Sequence, residues 1–330
     1  MDNINHLNVS GLDDTQLVKL DHLAIRGQKA IAVRLALGAE LFIPPPGKEQ
    51  TINLYRNLFT CIKNYYTSFK DNLNYYIPPN ATRISKISGD PFPRWDTAFK
   101  KLDEDYGFGM DVFYNSSRDE GIPIDATPWQ VSALGNRPSD SDLSAIRASI
   151  PVCNAQKENN FGVLFGMTLK WCERLKPVHG SSGFCVSYRP DMEPQTQWSW
   201  PLLQRYPGVD QQDIVEFSLR AGGIYNRIKG INWLTVLGDA IVSELGGKES
   251  IKRQLGELCS VHSYDGGIII IAGPIPQLGD VYSGFIPERY KTVASLTHPV
   301  RFERYTRPFI RLRKPLDSME ATLKWIRRFD

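Results

Sequence analysis

The side chains best suited to chemistry in this chain are five histidines, five cysteines and two runs of adjacent acids. His6, His22, His179, His262 and His298 lie far apart, and no two share a metal-ligand spacing. Asp265 follows His262 by three residues, and such a pair across a turn is ordinarily a hydrogen bond. Cys61, Cys153, Cys172, Cys185 and Cys259 are odd in number and widely spaced, which reads as reduced, buried thiols. Asp103-Glu104-Asp105 and Asp119-Glu120 could support metal-assisted hydrolysis only if further carboxylates converged on the same cleft. Gly246-Gly247-Lys248-Glu249-Ser250 lacks the first glycine of a phosphate loop and places Glu where a magnesium-binding Ser or Thr belongs, so it reads as a helix cap. Gly180-Ser181-Ser182-Gly183 lacks the spacing of a nucleophile elbow and reads as a flexible turn before a strand. These residues specify no catalytic group, metal site or cofactor.

The one charge asymmetry is C-terminal. Residues 301–330 hold nine basic side chains against four acidic ones, a local +5 in a chain whose total is +3. Arginines interleaved with Tyr305, Phe309 and Trp325 would suit phosphate contact and base stacking. The same pattern also fits cations at a helix C-terminus (Lys324, Arg327, Arg328) and, over Arg301–Arg313, the exposed face of an edge strand. A near-balanced total charge does not argue for nucleic acid.

Any site must be positioned by the surrounding elements. Ile31, Val33, Leu35, Leu37, Ala39, Leu41 and Ile43 alternate as in a long strand with one buried face, ended by Pro44-Pro45-Pro46-Gly47. Tyr55, Leu58, Phe59, Ile62, Tyr66, Phe69 and Leu73 form a helical stripe. Ser88–Trp95 reads as loop, 97–102 as a short helix, Phe108–Tyr114 as a strand and 115–142 as a surface excursion. Strand, helix, strand then recurs over 144–153, Phe161–Leu175 and Gly183–Tyr188. Leu234, Leu237, Ile241 and Leu245 suggest a helix, as do Ile251, Leu255 and Leu258. Ile268–Ile271 reads as a buried strand, Pro287 opens a helix, and Asp317 with Ser318 can cap a last one.

The fold class is therefore α+β, with mixed sheets flanked by helices and a hint of two similar strand-helix-strand lobes. The expected organisation is a polar lead-in over 1–25, a domain over 26–305 divisible into lobes 26–140 and 141–305, and a basic segment with a helix over 306–330. At 330 residues and 42% hydrophobic content the chain can bury a sizeable core, which excludes disordered, collagen-like and coiled-coil classes. The absence of a long apolar run or a basic, apolar leader points to a cytoplasmic protein with no membrane partner.

A more specific constellation starts at Gly230-Ile231-Asn232-Trp233-Leu234-Thr235-Val236-Leu237-Gly238. It continues through Tyr264-Asp265-Gly266-Gly267, the isoleucine run to Gly273, and Pro276-Gln277-Leu278-Gly279-Asp280. Pro287, Tyr290 and His298-Pro299-Val300-Arg301-Phe302 follow in order. Over 230–302 the chain resembles a bacterial family of type VI secretion immunity proteins paired with VRR-NUC nuclease toxins. Its motif residues read as fold determinants: turn glycines, Trp233 as a buried anchor, Gln277 and Asp280 bonding local backbone. The resemblance implies a non-enzymatic inhibitor that binds a cognate nuclease, of the PD-(D/E)xK type and encoded next to it. Asp103, Glu104, Asp105, Asp119 and Glu120 are the candidate interface acids, since a nuclease presents a basic cleft. The alternatives are a metal-dependent nuclease or hydrolase, or a nucleic-acid binder using the basic segment.

Overall fold

Thirteen consecutive residues, Ile31–Ile43, form the strand on which the rest is hung. The computed structural model describes residues 19–27, 30–116, 125–137, 139–190 and 194–330. In chain order these give β1 (Ala24–Arg26), β2 (Ile31–Ile43), α1 (Thr51–Phe69), β3 (Tyr75–Ile77), β4 (Ser85–Lys86), α2 (Phe92–Phe99), β5 (Phe108–Phe113), β6 (Gln130–Gly135) and β7 (Ser144–Ile150). Next come α3 (Phe161–Leu175), β8 (His179–Tyr188), α4 (Thr196–Arg205), β9 (Asp210–Gln211), α5 (Ile214–Arg220), β10 (Leu234–Gly238), α6 (Asp239–Glu244) and α7 (Lys248–Leu255). The chain ends with β11 (Ser260–Tyr264), β12 (Gly267–Ile271), α8 (Glu288–Thr297) and α9 (Ser318–Ile326). The order across the sheet is β11-β12-β10-β8-β2-β7-β6-β5-β3-β4, with β1 paired to the start of β2 and β9 running parallel to β8. Every other pairing between these strands is antiparallel. This is the α+β class expected from the sequence.

The alternation in β2 predicts one buried face, but every residue from Leu35 to Ile43 is buried. The odd positions face α1 and α3. Ser182, opposite Ala39, takes a 3.0 Å hydrogen bond from Thr168 of α3. The even positions face α5 and the C-terminal segment, and Phe42 packs on Phe217 of α5 with ring centroids 4.8 Å apart. Both faces are covered because the even positions near the strand centre are small (Ala36, Gly38) or paired (Glu40).

Four local readings are corrected by tertiary packing. The helix expected at 97–102 lies at Phe92–Phe99, where Trp95 is held edge-on by Tyr66 at 5.1 Å and Phe92 at 5.8 Å. Proline is tolerated in its first turn, where an amide has no helical partner. The excursion over 115–142 contains β6, whose Val131 and Ala133 are buried between β5 and β7. Leu234 and Leu237 belong to strand β10, pinned between β8 and β12, and the helix begins only at Asp239. Gly180-Ser181-Ser182-Gly183 lies inside β8, fully buried, and is not a turn. The arginines from 301 to 313 also form no strand. That segment docks irregularly, and Phe309, Ile310, Trp325 and Phe329 join the same core as β2. No helix among the described residues is long and apolar enough to cross a membrane.

Backbone proximity makes a sharp distinction among the motif glycines. A Cβ on Gly267 would sit 2.2 Å from the Leu237 carbonyl, whereas one on Gly230 would meet only the Arg328 side chain at 3.8 Å. Gly267→Ala should therefore cost about 1–3 kcal/mol, and Gly230→Ala should stay within about 0.5 kcal/mol of the parent. Denaturant unfolding of both variants checks this.

Candidate functional site

The motif residues bond chiefly to one another and to neighbouring backbone. Trp233 is fully buried, and its indole N–H donates to the Gly273 carbonyl at 2.8 Å. Asn232 donates through Nδ2 to the Phe184 carbonyl at 3.0 Å and accepts from the Trp233 amide at 2.7 Å. Gly183 must lack a side chain there, because a Cβ would come within 2.2 Å of Asn232 Oδ1. Gly266 turns the β11–β12 hairpin at φ +115°, and Gly273 and Gly279 take φ +97° and +66°, conformations that favour glycine. The Gln277 amide donates to the Tyr290 hydroxyl at 3.1 Å, and the Gln277 carbonyl presses on Gly208. Asp280 accepts from the Tyr282 amide and pairs with Arg205 at 2.9 Å. These contacts give each motif residue except Gly230 a role within the fold; nothing in the structure explains Gly230.

A buried charge cluster lies on the even face of β2. Glu40 pairs with Lys229, whose Nζ also lies 3.3 Å from Asp210 and donates to the Gln211 carbonyl at 2.8 Å. Ser181 donates to Asp210 at 2.8 Å. The rings of Phe309 and Trp325, each 5.7 Å from Lys229, close the cluster from the C-terminal side. Burial pushes Asp210 up to about 6, opposed by the Arg328 charge, and pushes Lys229 well down. Arg328 is bonded to the carbonyls of Pro207, Trp325 and Ile231. Sequence reading missed this cluster. Its only signal was a carboxylate at position 40, within the apolar second half of the strand.

From Glu40 the polar row continues across the sheet, register by register, to Arg147, Ser132 and Asp111. There it opens into a cleft of about 370 Å³ beside α5. Arg147 stacks over the Tyr188 ring at 4.5 Å and bonds to its hydroxyl. Burial raises Asp111, opposed by a Ser132 hydrogen bond and the Arg147 charge. Burial likewise lifts Asp213, which caps α5 by accepting from the Glu216 amide, to about 6. Glu216 ties down Arg220 and Arg311, and Val215 and Leu219 stand more than half exposed in the cleft lining. Carboxylates, a bedded guanidinium and apolar side chains together suit gripping a partner's side chain.

The expected acids divide. Asp103 caps the turn Glu104–Tyr106 by accepting from the Asp105 amide, and Tyr106 beside them is 78% exposed. Asp119 and Glu120 lie outside the described residues. Asp265 bonds Lys176, while His262 meets the edge of Phe165. Among the described residues one group could converge on a metal: His298, Glu303 and Asp330. Both carboxylates already bind Arg301, at 2.6 Å, and Glu303 also takes Arg327. Of the basic segment's nine cations, Arg301, Arg311, Arg327 and Arg328 are bonded within the fold, and Tyr305, Phe309 and Trp325 are buried, not presented for base stacking. All five cysteines are buried, with Cys61 pushed up to about 12 by burial.

A family model described as type VI immunity for VRR-NUC (TsiV) matches residues 57–329. No curated protein matches the chain. Among solved structures, the Pseudomonas aeruginosa T6SS protein PA0821 is similar with a TM-score of 0.79 over 96% of this chain and 90% of that one. At 19% identity that likeness is one of fold.

Lys229→Met strands two buried carboxylates and should cost about 3–5 kcal/mol, part of which Glu40→Leu in the same chain should restore. Thermal or denaturant melts read both. Asp213 has an ordinary value of 3.8 and a folded value of about 6. Between those pH values the folded chain holds more protons than the unfolded one, so this group's contribution to stability falls as pH rises through the interval. Asp213→Asn keeps a capping side chain and should flatten that part of the stability–pH curve.

Proposed function

The chain belongs to the TsiV family, type VI immunity for VRR-NUC, and on that footing we propose that it binds a cognate VRR-NUC nuclease and neutralises it, protecting the cell that makes both. The observation that carries this reading is the family match from residue 57 to 329, which takes in most of the sheet, the helices on both its faces and the C-terminal helix. The partner is a PD-(D/E)xK-type nuclease encoded alongside, the encounter takes place in the cytoplasm, and this chain contributes no catalysis, metal or cofactor. The internally matched ions around Arg301 support inhibition by contact over hydrolysis or direct DNA binding.

With the motif residues committed to the fold, partner choice falls to the surface between them. Asp103 and Asp105 beside the exposed Tyr106 supply charge for steering and an aromatic anchor. Asp119 and Glu120 belong to the same proposal on charge alone.

The test is co-expression with the neighbouring nuclease and titration of the purified proteins on DNA. The chain should rescue growth, co-purify with the nuclease, stop its cleavage near equimolar ratio, and leave DNA intact by itself with Mg²⁺ or Mn²⁺. A folded chain that neither binds nor protects would overturn the reading. Replacing Asp103 and Asp105 by Lys should slow association several-fold and reduce its salt dependence; unchanged kinetics would remove that patch.

A further inference from the structure

The sheet ends on β11, and its register fixes which of its amides face outward. The Ala272 amide bonds the Trp233 carbonyl and the Asp239 amide bonds the Gly266 carbonyl. Even-numbered positions of β12 and its flanks therefore turn their backbone groups toward β10, and odd-numbered ones toward β11. The partners of Gly267, Ile269 and Ile271 are Tyr264, His262 and Ser260, which thus make the ladder to β12. Val261 and Ser263 are left with N–H and C=O pointing off the sheet, and no described residue bonds them.

This edge lacks the usual protections. Ser260-Val261-His262-Ser263-Tyr264 contains no proline, lysine or bulge, and its register runs through five pairs without a shift. The opposite edge, β4, is only two residues long. Next to the start of β11 a cavity of about 400 Å³ opens between Phe165, Trp233, Leu258, Ile271 and Arg289. Leu258, on its lining, is 45% exposed.

We propose that an extended segment of the nuclease partner adds to β11 as a further strand, pairing with Val261 and Ser263 and sending one large apolar side chain into that cavity. This rests on the immunity reading above. Among protein partners, an extended backbone is the one whose donors and acceptors match the alternating outward groups of β11 at strand spacing. A second copy of this chain fits less well. Five residues span about 17 Å, and two such edges bury far less than the roughly 1,200 Å² of a stable interface. A nuclease segment that also fills the cavity and is anchored elsewhere escapes that limit.

Hydrogen exchange on the wild-type chain, alone and with the purified nuclease, is the primary test. The Val261 and Ser263 amides should exchange quickly in the free chain and slow at least ten-fold in the complex, while His262 is slow in both. Protection already present in the dilute free chain would mean that its own residues cover the edge. Protection that grows with chain concentration would mean a second copy. Either result, or no change on adding a nuclease that binds, overturns the proposal. If the nuclease does not bind at all, it is the immunity reading that fails. As a second arm, Ser263→Pro removes an outward donor without taking a ladder bond. It should melt near the parent and bind the nuclease at least ten-fold more weakly, and equal binding by this folded variant overturns the proposal.

Discussion

The constraint on which the fold depends is the neutralisation of Glu40. A carboxylate at the middle of a central strand, with both faces covered, is costly unless its charge is met by a cation and its oxygens by donors. The cation, Lys229, comes from a loop 189 residues later in sequence and is shared with Asp210 of β9, which in turn accepts a hydrogen bond from Ser181 of β8. Phe309 and Trp325 from the C-terminal segment then exclude water. Four stretches of chain remote in sequence must therefore arrive together. The last helix docks as a roof over this group, and the arginines following it bond to carbonyls and carboxylates instead of standing free.

This explains why so much of the basic C-terminal segment was open to misreading. In sequence, Arg301 to Arg328 with interspersed aromatics satisfies the description of a nucleic-acid strip. In space, Arg301 is clasped by Glu303 and Asp330, Arg328 is buried among backbone carbonyls, and the aromatics point inward. Charge composition reports the number of ions and is silent about which are already paired.

Elements with strong, local patterning were readable: the alternation of Ile31–Ile43, the stripes of α1 and α3, the isoleucine strand, and the Asp317 cap, which accepts from the Met319 and Glu320 amides. What could not be read depends on neighbours. Leu234, Leu237 and Ile241 have helical spacing, yet the first two complete a strand because β8 and β12 offer backbone partners on both sides. Gly180 looks like a turn residue, but it sits in a strand between β2 and β10, where a side chain would come within 2.5 Å of the Glu40 carbonyl. The motif glycines and Trp233 were visible as determinants, whereas the cleft around Arg147 and Asp213 assembles from five strands, two helices and the C-terminal segment, its polar residues supplied singly by elements far apart in sequence.

The central position of β2 also sets a timetable for synthesis. It is the first long strand to leave the ribosome, but its neighbours β7 and β8 follow more than 100 residues later, and Lys229 later still. At roughly 5–20 residues per second, Glu40 waits about 10–40 s for its counter-ion. During that interval the strand is a largely apolar ribbon paired only at its start, by β1, and charged only at Arg34 and Glu40, and aggregation of its second half must be held off by the Glu40 carboxylate, by the α1 helix folding nearby, or by chaperones. A residue that burdens the finished interior thus doubles as a solubilising guard for the nascent chain.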